Sequence, residues 1–339
     1  MKAVVLKGHG GPEQLEYLVD VPIPEPEAGQ VRIRIGGAGI NNTDIWTREG
    51  AYGWTDDPIT ASGRPIFFPR IQGADFAGEI DAVGVGVAPE RMGERVLVNP
   101  TLYDDNGEII GMVGSEMDGG FAEYAVVPTE NAYRIQTDMT DEELATFPTA
   151  YLTAECMLDR SRVEVGESVL ITGASGGVGS ALIQLARLRG CRAIALTSAA
   201  KVSSVRALEP DCILLRDEGE IENTLEKSAE VVDVVVDVVG GGVFQPLLNA
   251  LRPGGRYVIA GAIGGAEIPF DLRTLYLKPR EVIGSVMGTQ EQFGRLVTYI
   301  ESNRLKPLIA QRFALAAIHE AQATFIRKEF CGNLVLRPD

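Results

Sequence analysis

An apolar run, a glycine-rich turn and a helical stretch follow one another between Ser168 and Gly190, and no other part of the chain limits its fold as tightly. The turn reads Val169-Leu170-Ile171-Thr172-Gly173-Ala174-Ser175-Gly176-Gly177-Val178-Gly179. Helical apolar spacing then runs from Val178 to Arg189 and stops at Gly190. A turn of this kind clears side chains from the backbone, so that N–H groups and a helix N-terminus can face a negative group. The frame is A-x-G-x-x-G, with Ala174 at the first glycine position, and Gly176, Gly177 and Gly179 supply the clearance. A glycine turn that merely packs helix on strand is the plain alternative. The strand before it, the amphipathic helix after it and the further βα units favour a dinucleotide pyrophosphate at Ala174, Ser175, Gly176, Gly177 and Val178.

The surroundings repeat the pattern. Strands are expected at Ser168 to Thr172, Ala193 to Thr197, Cys212 to Leu215, Val231 to Val239, Arg256 to Ala260 and Val282 to Val286. Helices are expected at Val178 to Arg189, Lys201 to Leu208 and Val243 to Leu251, with Pro253-Gly254-Gly255 as a stop. Near-continuous apolar strands alternating with helices imply an α/β domain, a doubly wound parallel sheet covered on both faces.

Before about Val127 the chain differs, with short alternating runs such as Val31-Arg32-Ile33-Arg34-Ile35 that read as half-buried antiparallel strands. The tail offers a helix, Gln292 to Asn303, and a short apolar strand, Asn333 to Arg337, with no βα unit left to join. It is therefore expected to fold back and complete the N-terminal β domain. At 339 residues two domains are the natural division: residues 1–128 with 288–339, and residues 129–287.

Charge and cysteine content exclude several classes. No apolar run nears the roughly 20 residues of a membrane span, so the chain is expected in the cytoplasm. A formal net charge of -16 opposes nucleic-acid and anionic-membrane partners. The four cysteines, Cys156, Cys191, Cys212 and Cys331, are widely separated, and the only histidines are His9 and His319. That distribution offers no zinc set and suits reduced, small apolar thiols. His9 reads as a surface loop residue.

These features resemble the medium-chain dehydrogenase/reductase superfamily over nearly the whole chain. Gly29-Gln30-Val31-Arg32-Ile33, Ala38 to Asp44, Gly73-Ala74-Asp75-Phe76-Ala77-Gly78-Glu79, Gly93-Glu94-Arg95-Val96 and Asp118 to Tyr124 resemble landmarks of its GroES-like catalytic domain, and the later part resembles its Rossmann domain. Where the zinc members hold their catalytic metal with Cys, His-Glu and Cys, this chain has Asn41, Ala74-Asp75 and Thr149. Those residues are poor zinc ligands, so the resemblance turns to the zinc-free quinone oxidoreductase and enoyl reductase branch, whose pattern Asn41, Asp44, Arg48 and Tyr52 match. The longer stretches Trp54 to Gln72 and Asn99 to Gly120 depart from small members of that branch, and the first is expected beside the substrate.

The resemblance implies NADPH as cofactor, a small-molecule substrate and a homodimer paired near Val282 to Val286. In NAD-specific Rossmann domains an acid stands about 20 residues past the glycine turn. Here Thr197 to Lys201 holds none, and Ser198, Lys201 and Arg216 are candidates for a 2′-phosphate, with solvated surface charges as the plain alternative. The resemblance places Thr153, Ala262, Ile263 and Asn333 on the cofactor as well. Without metal, charge developing on a quinone or α,β-unsaturated carbonyl needs hydrogen-bond donors, and Asn41 and Tyr52 are the catalytic candidates. Against them stand a turn asparagine and a packed loop aromatic. Trp46 would make the pocket apolar. Hydride transfer to a quinone or enone leads; a zinc-independent alcohol or aldehyde dehydrogenase, or a catalytically weak NADPH-binding sensor, remains open.

Overall fold

The computed structural model describes residues 1–52, 60–216, 221–228 and 230–338. The chain divides into two compact units, one of Met1–Thr149, Thr289–Glu329 and Asn333–Asp339, the other of Ala150–Gly288 and Phe330–Gly332. The division falls later than 128/129 because the intervening chain is still tied to the first sheet. Ala132–Arg134 pairs antiparallel with Arg95–Val98. Beyond it, Arg95 bonds the Thr137 carbonyl at 2.9 Å and Asp141 at 2.7 Å, holding the capped helix Asp141–Leu144 in place.

The first unit is built on Gln30–Ile40. Its inward residues Val31, Ile33 and Ile35 are buried, while Arg32 pairs with Asp81 at 2.9 Å. Asp75–Val83 pairs along one edge. Along the other edge Tyr124–Pro128 takes the first half and Asn333–Arg337 the last residues. The C-terminal strand thus completes the sheet begun by the N-terminal part, and Ile309–Ala314 extends it in parallel. Thr101–Tyr103 and Ile109–Met112 form a small hairpin inside the long Asn99 to Gly120 stretch.

The second unit is an all-parallel six-stranded sheet. Its order is Cys212–Leu215, Arg192–Thr197, Ser168–Ile171, Val232–Asp237, Leu251–Ile259, Glu281–Gly284. Numbered along the chain this is 3-2-1-4-5-6, the doubly wound order of Rossmann domains. Both faces are covered, so Val169, Leu170, Ile171, Ile194, Val234, Val235 and Val236 are all inaccessible to solvent. Each such side chain contributes roughly 1.5–3 kcal/mol of burial.

Helices Gly177–Leu188 and Phe244–Ala250 fall close to their expected places, whereas Val202–Arg206 is shorter than expected and is preceded by a 3-10 turn, Ala199–Lys201. Helix Ile221–Ser228 is polar enough to escape an apolar-periodicity reading, with Leu225 its one buried residue. The Pro253-Gly254-Gly255 stop lies within a strand: Leu251 already pairs with Val232, and the register slips before Arg256.

Candidate active site

The parallel sheet carries one group of candidate residues. The chain turns out of the first strand through Gly173, whose φ of 55° lies in the left-handed region. Gly179 sits one turn into the following helix, and a Cβ there would come 2.2 Å from the Gly173 carbonyl oxygen. Glycine is thus required both for the turn and for the close helix–strand approach.

Beside this turn an open cleft is lined by Thr172, Gly173, Ser175, Thr197, Ser198, Lys201, Arg216 and Val239, among others. Every one of these lies at or just beyond the C-terminal end of a strand, where ligands of open α/β sheets bind. Of the residues singled out from sequence, the cleft gathers Ser175, Ser198, Lys201 and Arg216. Its second-strand lining contains no acid. Burial pushes the Lys201 ammonium down, and the Arg216 charge pushes it further. Two cations are therefore close enough to feel each other, an arrangement a polyanion relieves.

The remaining predicted residues occupy several places. Ala174 is buried in the turn, and Gly176, Gly177 and Val178 form the helix start. Ala262 and Ile263 lie on the loop after the fifth strand, where Ile263 is 47% exposed. Thr153 is buried on helix Pro148–Arg160, its hydroxyl 3.9 Å from the Met287 sulfur. Gly332 donates its N–H to the Ser175 carbonyl at 2.8 Å. Asn333 belongs to the other unit, where its N–H bonds the Leu308 carbonyl and its side-chain nitrogen is buried without a hydrogen-bond partner.

The first unit carries the other group. Asn41 is the N-cap of helix Asn42–Glu49, and its backbone N–H donates to Asp44 Oδ2 at 2.7 Å. Tyr52 follows that helix, with its ring 5.4 Å from the Trp46 ring in a T-shaped contact and its phenol hydrogen-bonded to Thr43. Burial raises the Tyr52 phenol above its ordinary range, so it is a proton-bearing donor at neutral pH. Arg48 is fully buried and bonds Gln322 Oε1 at 3.2 Å, which fixes the helix rather than facing a ligand. His9 is no free surface residue: it is half-buried, 3.0 Å from the Thr47 carbonyl, and packs edge-on against Phe68. Residues 54–59 of the stretch expected beside the substrate lie outside the described residues.

Sequence reading named Asp44 and Asp75 singly but did not bring them together as a buried pair. Both are buried. Burial pushes Asp44 up to about 7, the Asp75 charge adding to it against the backbone N–H groups of Asn41, Gly73 and Ala74. Burial pushes Asp75 up to about 6, against the hydrogen bonds from Thr149. The Thr149 N–H and hydroxyl both donate to Asp75 Oδ1, at 2.8 and 2.5 Å. Asp75 and Thr149 are thus engaged with each other, while the Asn41 side-chain nitrogen is buried without a hydrogen-bond partner. Among the described residues no three His, Cys, Asp or Glu side chains come together as they would to hold a metal ion.

Comparison with known proteins agrees with this geometry. Residues 27–137 match the alcohol dehydrogenase GroES-like domain and residues 177–302 the zinc-binding dehydrogenase domain. The quinone oxidoreductase of Homo sapiens is 28% identical over 96% of this chain and 94% of its own length. The acryloyl-coenzyme A reductase of Metallosphaera sedula is 28% identical over 99% of each. Among solved structures, a protein of Sinorhizobium meliloti 1021 classed provisionally as an alcohol dehydrogenase is 47% identical, with a TM-score of 0.95, covering 100% of this chain and 97% of its own. An NAD-dependent alcohol dehydrogenase is 31% identical, with a TM-score of 0.91 and complete coverage of both chains. A 2-octenoyl-CoA carboxylase reductase solved with NADP and 2-octenoyl-CoA is 25% identical, with a TM-score of 0.86, covering 99% of this chain and 87% of its own. With a GroES-like domain and a Rossmann sheet in one chain, the protein belongs to the medium-chain dehydrogenase/reductase superfamily, in its quinone oxidoreductase-like branch, and is a nicotinamide-dependent oxidoreductase of that type.

Proposed function

We propose that this oxidoreductase uses NADPH, without zinc, to reduce a quinone or an α,β-unsaturated carbonyl. The observation that carries the reading is that Asn41, Asp75 and Thr149, at the positions where zinc relatives place their ligands, offer one carboxylate instead of a thiolate–imidazole set: Thr149 donates to Asp75, and the Asn41 amide nitrogen is buried without a partner. A conjugated acceptor spreads the developing negative charge, so hydrogen-bond donors suffice where a simple ketone calls for a Lewis acid.

The cofactor supplies the hydride from its nicotinamide ring when bound. The chain's own residues do the rest. In this reading the Tyr52 phenol and the Asn41 amide donate to the acceptor oxygen as it gains charge, and Thr43 holds the phenol in place. Lys201, Ser198 and Arg216 take the 2′-phosphate, and the turn from Ala174 to Val178 takes the pyrophosphate. Thr153, Ala262, Ile263 and Asn333 are assigned to the cofactor on family resemblance. The assembly is a homodimer, and the substrate a small molecule.

The higher identity to the alcohol dehydrogenase structures favours a second reading, oxidation of alcohols or reduction of aldehydes without zinc. NADPH and NADH oxidation measured against quinones, enones, enoyl thioesters and aldehydes, each with and without chelator, separates the two. Quinone or enone turnover with NADPH, insensitive to chelator, is expected. Turnover confined to aldehydes, or abolished by chelator and restored by zinc, overturns the proposal.

A further inference from the structure

Asp237 ends the fourth strand of the parallel sheet, is wholly inaccessible to solvent, and yet is surrounded by donors. The Thr172 hydroxyl donates to its Oδ1 at 2.6 Å, and the Tyr257 phenol to its Oδ2 at 2.7 Å. The Val239 N–H reaches Oδ1 at 2.8 Å, and the Gly240 N–H lies 3.2 and 3.1 Å from the two oxygens. Thr172 follows the first strand and Tyr257 lies on the fifth, so one carboxylate ties three adjacent strands together at their C-terminal ends. Thr172 also accepts the Val238 N–H at 3.0 Å. Burial, and then the Asp237 charge, raise the Tyr257 phenol, which keeps it a donor.

The network reaches the cleft by two routes. Thr172 and Val239 line it. The Val239 carbonyl in turn accepts the Gly264 N–H at 2.7 Å, fixing the loop that carries Ala262 and Ile263 to the turn that Asp237 holds. That turn leaves no slack: Gly240 and Gly241 have φ of 64° and 60°, and a Cβ on Gly241 would stand 2.2 Å from the Gly264 carbonyl oxygen.

A doubly wound sheet takes a dinucleotide across the point where strand order reverses, one mononucleotide on each half. Ser198, Lys201 and Arg216 follow the second and third strands, whereas the turn held by Asp237 and the loop after the fifth strand belong to the other half. We propose that Asp237 is the positioning residue for the nicotinamide half of the cofactor: through Thr172, Tyr257 and the Val239–Gly240 backbone it sets the two loops that this half meets, while it reaches the adenosine half only through the Thr172 and Val239 wall of the cleft. A carboxylate is the group suited to this, since four donors converge on two oxygens and neither an amide nor a hydroxyl could accept them all without turning a donor inward.

The inference rests on nicotinamide-dinucleotide binding and not on the acceptor or on the choice between NADPH and NADH. Dissociation constants are therefore measured, by titration of the full-length protein, for whichever of the two wild type binds more tightly and for its adenosine half, 2′,5′-ADP or AMP. Asp237→Asn is expected to weaken the whole dinucleotide about ten-fold or more and the adenosine half less than about two-fold. Thr172→Val and Tyr257→Phe, which each remove one donor, should show the same split at about two- to five-fold. The single-donor variants carry the test if Asp237→Asn does not fold. Equal weakening of dinucleotide and adenosine half would mark a merely structural role, and folded variants with unchanged dinucleotide affinity would remove the role altogether; either result overturns the proposal.

Discussion

Lys201 and Arg216 converge on one cleft, and the chemistry of a 2′-phosphate gives that convergence a measurable consequence. Lys201→Ala should weaken NADPH by about ten-fold while leaving NADH within about two-fold, because a point charge on a phosphate dianion has no counterpart on a ribose hydroxyl. Equal losses for both cofactors in a binding titration would dismiss the phosphate site. At the same scale, the Asp44 and Asp75 pair makes stability depend on pH. Both carboxyls are raised well above 3.8 in the folded chain, to about 7 and about 6, so the folded state holds protons that the unfolded state has already released. Their cost is absent below pH ~4 and grows as pH rises towards 7, each carboxyl adding at most about 1.4 kcal/mol for every pH unit climbed. Asp75→Asn should accordingly be less pH-sensitive than wild type, with its urea midpoint gaining on wild type between pH 4 and pH 7. Parallel midpoints across that range would show that Asp75 is not raised in this way. The coupling of these two named residues was not legible in the sequence because they lie on different elements, and only burial makes their charges matter.

At the scale of elements, the glycine turn was the most legible feature, since its strand, turn and helix are contiguous and their chemistry is local. Gly179→Ala is expected to lower dinucleotide affinity by about ten-fold or more and to destabilise the fold by roughly 1–3 kcal/mol, because its methyl group meets the Gly173 carbonyl and overpacks the helix against the turn. A variant with wild-type affinity and melting temperature would mean that the helix can shift outward freely. The parallel strands were legible for a related reason: buried on both faces, they read as unbroken apolar runs. Helix Ile221–Ser228 was not, having little apolar face to register. The unit boundary slipped past 128/129 because strand Ala132–Arg134 and the Arg95 contacts hold the chain to the first sheet through pairing that no local pattern encodes. The proposed catalytic residues were drawn from resemblance alone. Asn41 and Tyr52 came from matched positions, while the Thr43 contact of Tyr52 and the burial that leaves the Asn41 amide nitrogen unpartnered are tertiary.

At the scale of the molecule, a net charge of -16 keeps chains apart unless a specific apolar surface brings them together, and the parallel sheet ends on such a surface. Among the described residues Glu281–Gly284 pairs on one side only, with Leu251–Ile259, so that its other edge presents backbone groups no described strand pairs. Val282 and Val286, at 40% and 52% exposure, lie on or just beyond this strand. Leu272, Tyr276 and Leu277, each at least 65% exposed, precede it in the chain. Two copies of one edge strand can pair antiparallel about a two-fold axis, joining two six-stranded sheets into one and covering these side chains at the same time. That geometry makes the proposed homodimer depend on a few residues of one strand. Val282→Lys places a cation beside its own symmetry copy and removes apolar contact there, so sedimentation should show a monomer where wild type is a dimer. The cleft lies at strand ends well along the sheet, at the first three strands and the turn after the fourth, so the monomer should still bind the dinucleotide. A Val282→Lys chain that sediments as wild type would move the interface elsewhere, and wild type that is itself monomeric at micromolar concentration would remove the dimer.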